Sequence, residues 1–89
     1  MAYDPKNLSA LTYANGFTLW HYRTPDLPSE VDNAGYFNEA VRMLRVGDFI
    51  FVNAGIDSAP SHGVMVVVAN DGTTVDVTNL TPFGATNAD

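Results

Sequence analysis

The sequence predicts a small, mainly β fold: two hairpins, a central strand and one short α-helix. Two turn signals, Asn15-Gly16 and Asn70-Asp71-Gly72, lie between segments rich in aromatic and β-branched residues. Apolar residues recur at helical spacing in one stretch only, residues 37–44. We expect these elements to form an antiparallel β-barrel or β-sandwich with the helix closing one end.

The first hairpin is expected to place strands at residues 11–14 and 17–23, joined by a type I′ turn at Asn15-Gly16. In this register Tyr13 pairs with Thr18, and Leu11 pairs with Trp20. One face then carries Leu11, Tyr13, Trp20 and Tyr22, and the other carries Phe17, Leu19 and His21. Because neither set is polar, we expect both faces of the hairpin to be covered.

The middle of the chain is expected to hold a connection and the helix. Ser29 is a candidate N-cap for a single helical turn within residues 24–33. Phe37, Ala40, Val41 and Leu44 follow at the spacing of one helical face. The helix is predicted from residue 36 or 38 to 44, with Asn38 as N-cap of the shorter version.

The second half is expected to supply the central strand and the second hairpin. Residues 49–53 are apolar in succession, which is typical of a strand buried on both faces. Strands at 62–69 and 73–78 follow. A two-residue loop pairs Val68 with Val75 and Val66 with Val77, whereas a three-residue loop reverses which side chains face the core. Residues 80–89 are predicted to be an irregular tail.

Length, charge and cysteine content limit the classes of function. The 89 residues predict a single domain over residues 1–89. Four basic residues against ten acidic ones leave a net charge of -6, so we expect neither nucleic acid nor an anionic membrane as a partner. The chain has no cysteine, which excludes disulfides and thiolate chemistry. We also expect no membrane span and no secretory signal.

No pattern in the chain predicts catalysis, a cofactor or a metal site. His21 and His62 lie in different hairpins, and Ser61 points away from His62 if both belong to a strand. The acidic turn at residues 70–76 has no distal Glu of the kind a helix–loop–helix calcium site requires. We therefore predict that the protein is not an enzyme.

One segment is similar to part of an enzyme family. Gly47-Asp48-Phe49-Ile50-Phe51, a loop, and then His62-Gly63-Val64 resemble the strand–loop–strand segment of cell-wall cysteine peptidases. In that family the strand histidine pairs with a cysteine on an upstream helix. This chain has Phe37-Asn38-Glu39-Ala40 at that place, so the resemblance implies no catalysis here.

A longer segment resembles short virion proteins of tailed bacteriophages. It runs from Ala34-Gly35-Tyr36-Phe37-Asn38-Glu39-Ala40 through Met43-Leu44-Arg45-Val46-Gly47-Asp48-Phe49-Ile50, and the Leu19-Trp20-His21-Tyr22 strand precedes it. The resemblance extends over about residues 8–81. It implies a non-enzymatic capsid decoration (cement) protein on the capsid exterior, made in the host cytoplasm and bound to major capsid or other virion subunits. A tail, neck or fibre-base component and a small cellular β adaptor stay open as alternatives.

The candidate partner-binding residues are Tyr3, Leu8, Trp20 and Tyr22. Residues 1–10 are expected to form an extended arm that orders against a neighbouring subunit, since Pro5 and the spacing of the apolar residues disfavour a helix. Aromatic side chains are enriched at interfaces. A small domain without disulfides is often stabilised by association, so we expect a homo-oligomer, a trimer at local three-fold positions.

Overall fold

The computed structural model describes residues 3–84, which form one six-stranded mixed sheet. Its strands are β1 (Leu8–Ala14), β2 (Phe17–Arg23), β3 (Phe49–Ala54), β4 (Ser61–Asn70), β5 (Val75–Val77) and β6 (Thr81–Pro82). One α-helical turn, α1 (Pro28–Val31), and two 3-10 turns, Pro5–Asn7 and Asn38–Ala40, complete the fold. The mainly β class is confirmed. The sheet is open and does not close into the expected barrel.

The strands lie in the order β1-β2-β3-β4-β5, and β6 pairs with β4. β2 and β3 run parallel, with Leu19 opposite Phe49 and Tyr22 opposite Val52. Parallel neighbours need a long connection. Residues 24–48, called the crossover below, provide it. The expectation of a purely antiparallel sheet is therefore wrong at this one pair, because strand patterns do not specify which strands become neighbours.

The hydrophobic core lies between the crossover and the face of the sheet that it covers, called the inner face. The crossover contributes Val31, Phe37 and Leu44, and the sheet contributes Tyr22, Ile50 and Met65, all at most 1% exposed. Each buried side chain of this size contributes about 1.5–3 kcal/mol relative to exposure. The core is thus built from both layers, as the apolar positions at 37, 40 and 44 predicted.

The turn of the first hairpin is confirmed, but part of its register differs. Asn15 has φ 42° and Gly16 has φ 97°, the positive values of a type I′ turn, and Tyr13 pairs with Thr18. A bulge at Leu11 then shifts the ladder. The predicted Leu11–Trp20 pair is wrong. Leu11 is 55% exposed and Tyr13 63% exposed, so the hairpin is not covered on both faces.

The single helical turn of the crossover is confirmed as α1, but Ser29 is not its N-cap. The cap position is Leu27, and Pro28 occupies the first helical position, where the missing N–H of proline costs nothing. The backbone N–H of Leu27 donates to Glu30 Oε1 at 3.0 Å.

The predicted helix at 36 or 38 to 44 is wrong in type, because only a 3-10 turn forms there. The backbone N–H of Gly35 donates to the Val75 carbonyl at 3.0 Å, and Val75 N–H donates to Asn38 Oδ1 at 2.9 Å. Asn38 is therefore bound to β5 and does not serve as an N-cap. These tertiary bonds hold the segment against the sheet edge and outweigh its weak helical preference.

The second hairpin forms with a longer loop than expected. Asp71 Oδ1 accepts the backbone N–H groups of Thr73 and Thr74 at 2.9 and 2.8 Å, which folds residues 71–74 into the turn. Val67 then pairs with Val77, so the predicted pairs Val68–Val75 and Val66–Val77 are wrong.

Both ends of the described chain pair with the sheet. Residues 5–7 form a 3-10 turn and Leu8 begins β1, so the extended arm expected over residues 1–10 is wrong for its described part. Residues 81–82 form β6, so the expected irregular tail is ordered there. Residues 1–2 and 85–89 lie outside the described residues. Between residues 3 and 84, no helix is both long enough and apolar enough to cross a membrane.

Candidate protein-interaction surface

The four predicted partner-binding residues all lie in the core. Tyr3, Leu8 and Trp20 are 7–8% exposed and Tyr22 is fully buried. The Tyr3 ring stacks on Tyr22 with centroids 5.6 Å apart, and Leu8 is paired with Tyr22 in the β1–β2 ladder. The fold brings three of the four together. Their side chains fill the interior, which is at odds with a role as exposed partner contacts.

Tyr22 also begins a buried polar chain beneath the inner face. Its hydroxyl accepts the backbone N–H of Asp4 at 3.0 Å and lies 2.9 Å from the Tyr36 hydroxyl. Tyr36 in turn donates to Asp26 Oδ2 at 2.6 Å. Burial, followed by the hydrogen bond to Asp26, raises the pKa of Tyr36 far above its ordinary value. Asp26 Oδ1 has no hydrogen-bond partner among the described residues.

The two histidines are joined through a single asparagine. Asn53 Nδ2 lies 2.8 Å from His21 Nε2, and Asn53 Oδ1 lies 2.7 Å from His62 Nδ1. The amide therefore donates to His21 and accepts from His62. The three residues occupy β2, β3 and β4 on the side of the sheet opposite the crossover. One nitrogen of each imidazole is hydrogen-bonded to the Asn53 amide. An amide can neither act as a nucleophile nor become charged.

This geometry also differs from the peptidase arrangement that the β3–β4 segment resembles. There, the strand histidine faces a residue of the upstream helix. Here Phe37 and Ala40, at the corresponding place, are buried against the inner face, while His62 binds Asn53 on the other side. The sheet lies between the two groups.

Beside the His21–Asn53–His62 group, the side of the sheet opposite the crossover carries a continuous row of apolar side chains that no described element covers. We call this surface the outer face: Phe17, Leu19, Phe49, Phe51, Val64, Val66 and Phe83. Phe17, Phe49 and Phe83 are 36%, 43% and 53% exposed. The other four are half-buried. A large exposed apolar patch of this kind is characteristic of an interaction surface.

Cross-strand pairing makes the outer face continuous. Phe49 lies between Leu19 of β2 and Val66 of β4 in the ladder, and Phe51 lies opposite Val64. Two aromatic pairs extend the row: the Phe17 and Phe49 centroids are 5.7 Å apart, and those of Phe51 and Phe83 are 6.2 Å apart. Paired side chains of this type support one another, so the surface is formed before any partner arrives.

The sequence signal for this surface is the apolar run of β3. The run at 49–53 predicted a strand buried on both faces. Ile50 and Val52 are buried as expected, but Phe49 on the opposite side is 43% exposed. A strand that is apolar on both sides is fully buried only if other residues pack on both sides of the sheet. Among the described residues, the crossover packs on the inner face alone.

Residues 3–84 enclose no pocket of ligand size and hold no group of three acidic or histidine side chains placed to bind a metal ion. No protein-family model matches the chain, and no curated protein or solved structure matches it significantly.

Proposed function

We propose that this protein is a non-enzymatic capsid decoration protein of a tailed bacteriophage, and that it binds the major capsid protein through the outer face. The uncovered aromatic outer face is the observation that carries the binding role. The virion class comes from the resemblance of about residues 8–81, and of residues 34–50 above all, to short virion proteins.

The outer face is suited to a rigid, preformed partner surface. Six of its side chains project from the neighbouring strands β2, β3 and β4, and Phe83 follows β6. Phe has few rotamers to lose on binding. A standard interface buries about 800 Å² on each partner. This is about one seventh of the 5387 Å² accessible surface of the protein.

The charge distribution supports a protein partner. The chain carries a net charge of -6, while β2, β3 and β4 together hold a single acidic or basic residue, Arg23, at the end of β2 opposite Asn53. Apolar residues at the centre and charges at the rim are typical of protein–protein interfaces. The bound imidazoles of His21 and His62 are consistent with the non-enzymatic part of the proposal.

The test uses particles of the phage that encodes this protein, produced from a genome in which its gene is deleted. Purified protein is then added back to these particles. We expect wild-type protein to saturate the particles at many copies. Phe49→Ser should weaken binding by about tenfold or more, because central aromatic residues dominate interface energies. Met43→Ser is the matched control, since Met43 is 47% exposed but lies on the crossover.

Three outcomes would contradict the proposal. Virions that contain no copy of the protein would exclude the class, and a few copies confined to the tail would instead support a tail or neck component. Full binding by a correctly folded Phe49→Ser variant would exclude the outer face as the contact surface.

A further inference from the structure

We propose that β1 pairs with β1 of a second copy, antiparallel across a two-fold axis, so that two sheets join edge to edge. The proposal goes beyond the function above, because it concerns a different surface and a different partner. It also replaces the three-fold association expected from the sequence with a two-fold one.

The first observation is the exposure of the hairpin tip. Residues 9–17 are all exposed, the longest such run among residues 3–84. β2 pairs with β3 only from Leu19 onward, so the tip is a two-stranded ribbon. Such a ribbon is marginally stable in water. Two ribbons paired through β1 become the four-stranded unit β2-β1-β1-β2, in which both β1 strands are central.

The second observation is the direction of the backbone groups. Ala14 and Phe17 flank the two-residue turn and form a hydrogen-bonded pair, so Tyr13 and Thr18 form the next, non-hydrogen-bonded pair. The Thr18 N–H confirms that Tyr13 and Thr18 are a non-hydrogen-bonded pair, because it points away from β1 and donates to Asp48 Oδ1 at 2.9 Å. Tyr13 therefore directs its N–H and C=O outward, where a second strand can bind them.

The third observation is that this edge lacks most of the features that prevent association. Exposed edges are commonly protected by short strands, proline or charged side chains. β1 has seven residues, none of them charged or proline. The opposite edge is protected: β5 and β6 have three and two residues, and they contain Asp76 and Pro82. A head-to-tail contact between unlike edges is disfavoured for this reason.

Charge also favours a second copy at β1. Two chains of net charge -6 repel each other unless the contact avoids their carboxylates, and residues 8–22 contain no Asp, Glu, Lys or Arg. Leu11 and Tyr13 supply large exposed side chains for the contact. The bulge at Leu11 bends β1, so only a short ladder of backbone hydrogen bonds joins the two copies. Contacts between side chains supply the rest of the interface.

The first test measures mass by sedimentation equilibrium from low micromolar to near-millimolar concentration. We expect a reversible dimer. Tyr13→Pro removes the outward N–H and the exposed ring but no hydrogen bond within the hairpin, and it should raise the dimer dissociation constant about tenfold or more while the circular dichroism spectrum is preserved. Tyr13→Lys serves the same purpose if the proline variant does not fold. Val46→Ser is the control, because Val46 is similarly exposed, at 59%, but lies on the crossover.

The second test uses the absence of cysteine from the chain. Leu11→Cys, Thr12→Cys and Tyr13→Cys are oxidised one at a time. At least one of them should form an intermolecular disulfide much faster than Val46→Cys, because antiparallel strands bring residues near the two-fold axis together.

A wild-type protein that stays monomeric, or that forms a trimer, would overturn the proposal, as would a dimer that persists in a folded Tyr13→Pro variant. Phe49→Ser separates the two proposals. If it abolishes the dimer and Tyr13→Pro does not, the second copy occupies the outer face, and β1 pairing is wrong.

Discussion

The indole N–H of Trp20 donates to Asp48 Oδ2 at 3.0 Å, and this bond joins the middle of β2 to the residue that precedes β3. The same carboxylate accepts the backbone N–H groups of Thr18 at 2.9 Å and Arg45 at 3.0 Å. Asp48 is fully buried. Its three donors replace the water that a buried charge loses, and they hold the first hairpin against the end of the crossover.

Replacing Asp48 should destabilise the fold strongly. Asp48→Ala leaves the Trp20 indole and two backbone N–H groups without their acceptor, and we expect the free energy of unfolding to fall by about 3 kcal/mol. Urea unfolding measures this. Asp57→Ala, on an exposed loop, should change it by less than about 0.5 kcal/mol. Similar values for the two variants would show that Asp48 does not anchor the hairpin.

Removing the Tyr3 side chain should lower stability rather than binding alone. The Tyr3 ring stacks on Tyr22 and meets the edge of Phe37 at a centroid distance of 5.5 Å. Tyr3→Ala should cost about 3 kcal/mol by loss of buried aromatic contact, and truncation of residues 1–7 should lower the melting temperature. Lys6→Ala is the control, because that side chain is 85% exposed. An unchanged melting temperature after truncation would restore the view of residues 1–7 as a separable arm.

Stability should decrease at alkaline pH through Tyr36. Burial and the bond to Asp26 raise the pKa of Tyr36 above its model-peptide value of 10.0. A raised folded-state pKa means that stability is complete below the unfolded pKa and is lost as the pH rises above it. Urea midpoints should therefore fall between about pH 9.5 and pH 11.5.

Tyr36→Phe provides the control for this pH dependence. The variant should show a shallower decline, although not a flat one, because burial also raises the pKa of Tyr3. An identical decline in wild type and Tyr36→Phe would assign the effect to other groups.

Gly63 should resist substitution because β6 lies against it. A Cβ atom on Gly63 would collide with the backbone carbonyl of Thr81. Gly63→Ala should destabilise the protein by about 2 kcal/mol. It should also speed hydrogen exchange at the Phe83 N–H, which donates to the His62 carbonyl at 2.8 Å.

Gly84→Ala is the matched control, since nothing lies within 4 Å of its Cβ position. It should leave both the stability and the exchange rate nearly unchanged. Equal exchange at Phe83 in the two variants would show that β6 is not held closely against β4.

The conformation of a turn could be predicted from the sequence where a few neighbouring residues determine it. The positive φ values at Asn15 and Gly16 are intrinsic to those residue types, and the turn between Pro28 and Val31 begins where proline is favoured. Register was less predictable. The bulges at Leu11 and Val68 depend on how each hairpin fits the rest of the sheet, and each bulge changed which side chains face the core.

The candidate site shows the same division between local pattern and fold. The amphipathic side chains of Trp20 and Tyr22 predict partner contacts, but the same properties suit an interior position with a hydrogen-bond partner, which Asp48 and Tyr36 supply. The apolar run around Phe49 predicts an interior position for this residue, whereas its side chain is 43% exposed. Only the position of the crossover decides which side of the sheet is covered.

The mainly β class, the type I′ turn, and the apolar positions at Phe37, Ala40 and Leu44 that enter the core could all be predicted from the sequence alone. These features follow from side-chain size, backbone preference and periodicity over a few residues. The tertiary structure decided the parallel β2–β3 pair, the uncovered outer face and the free edge of β1. Each of these depends on which distant segments become neighbours, and that choice is made by the packing and hydrogen bonding of the whole sheet against its one crossover.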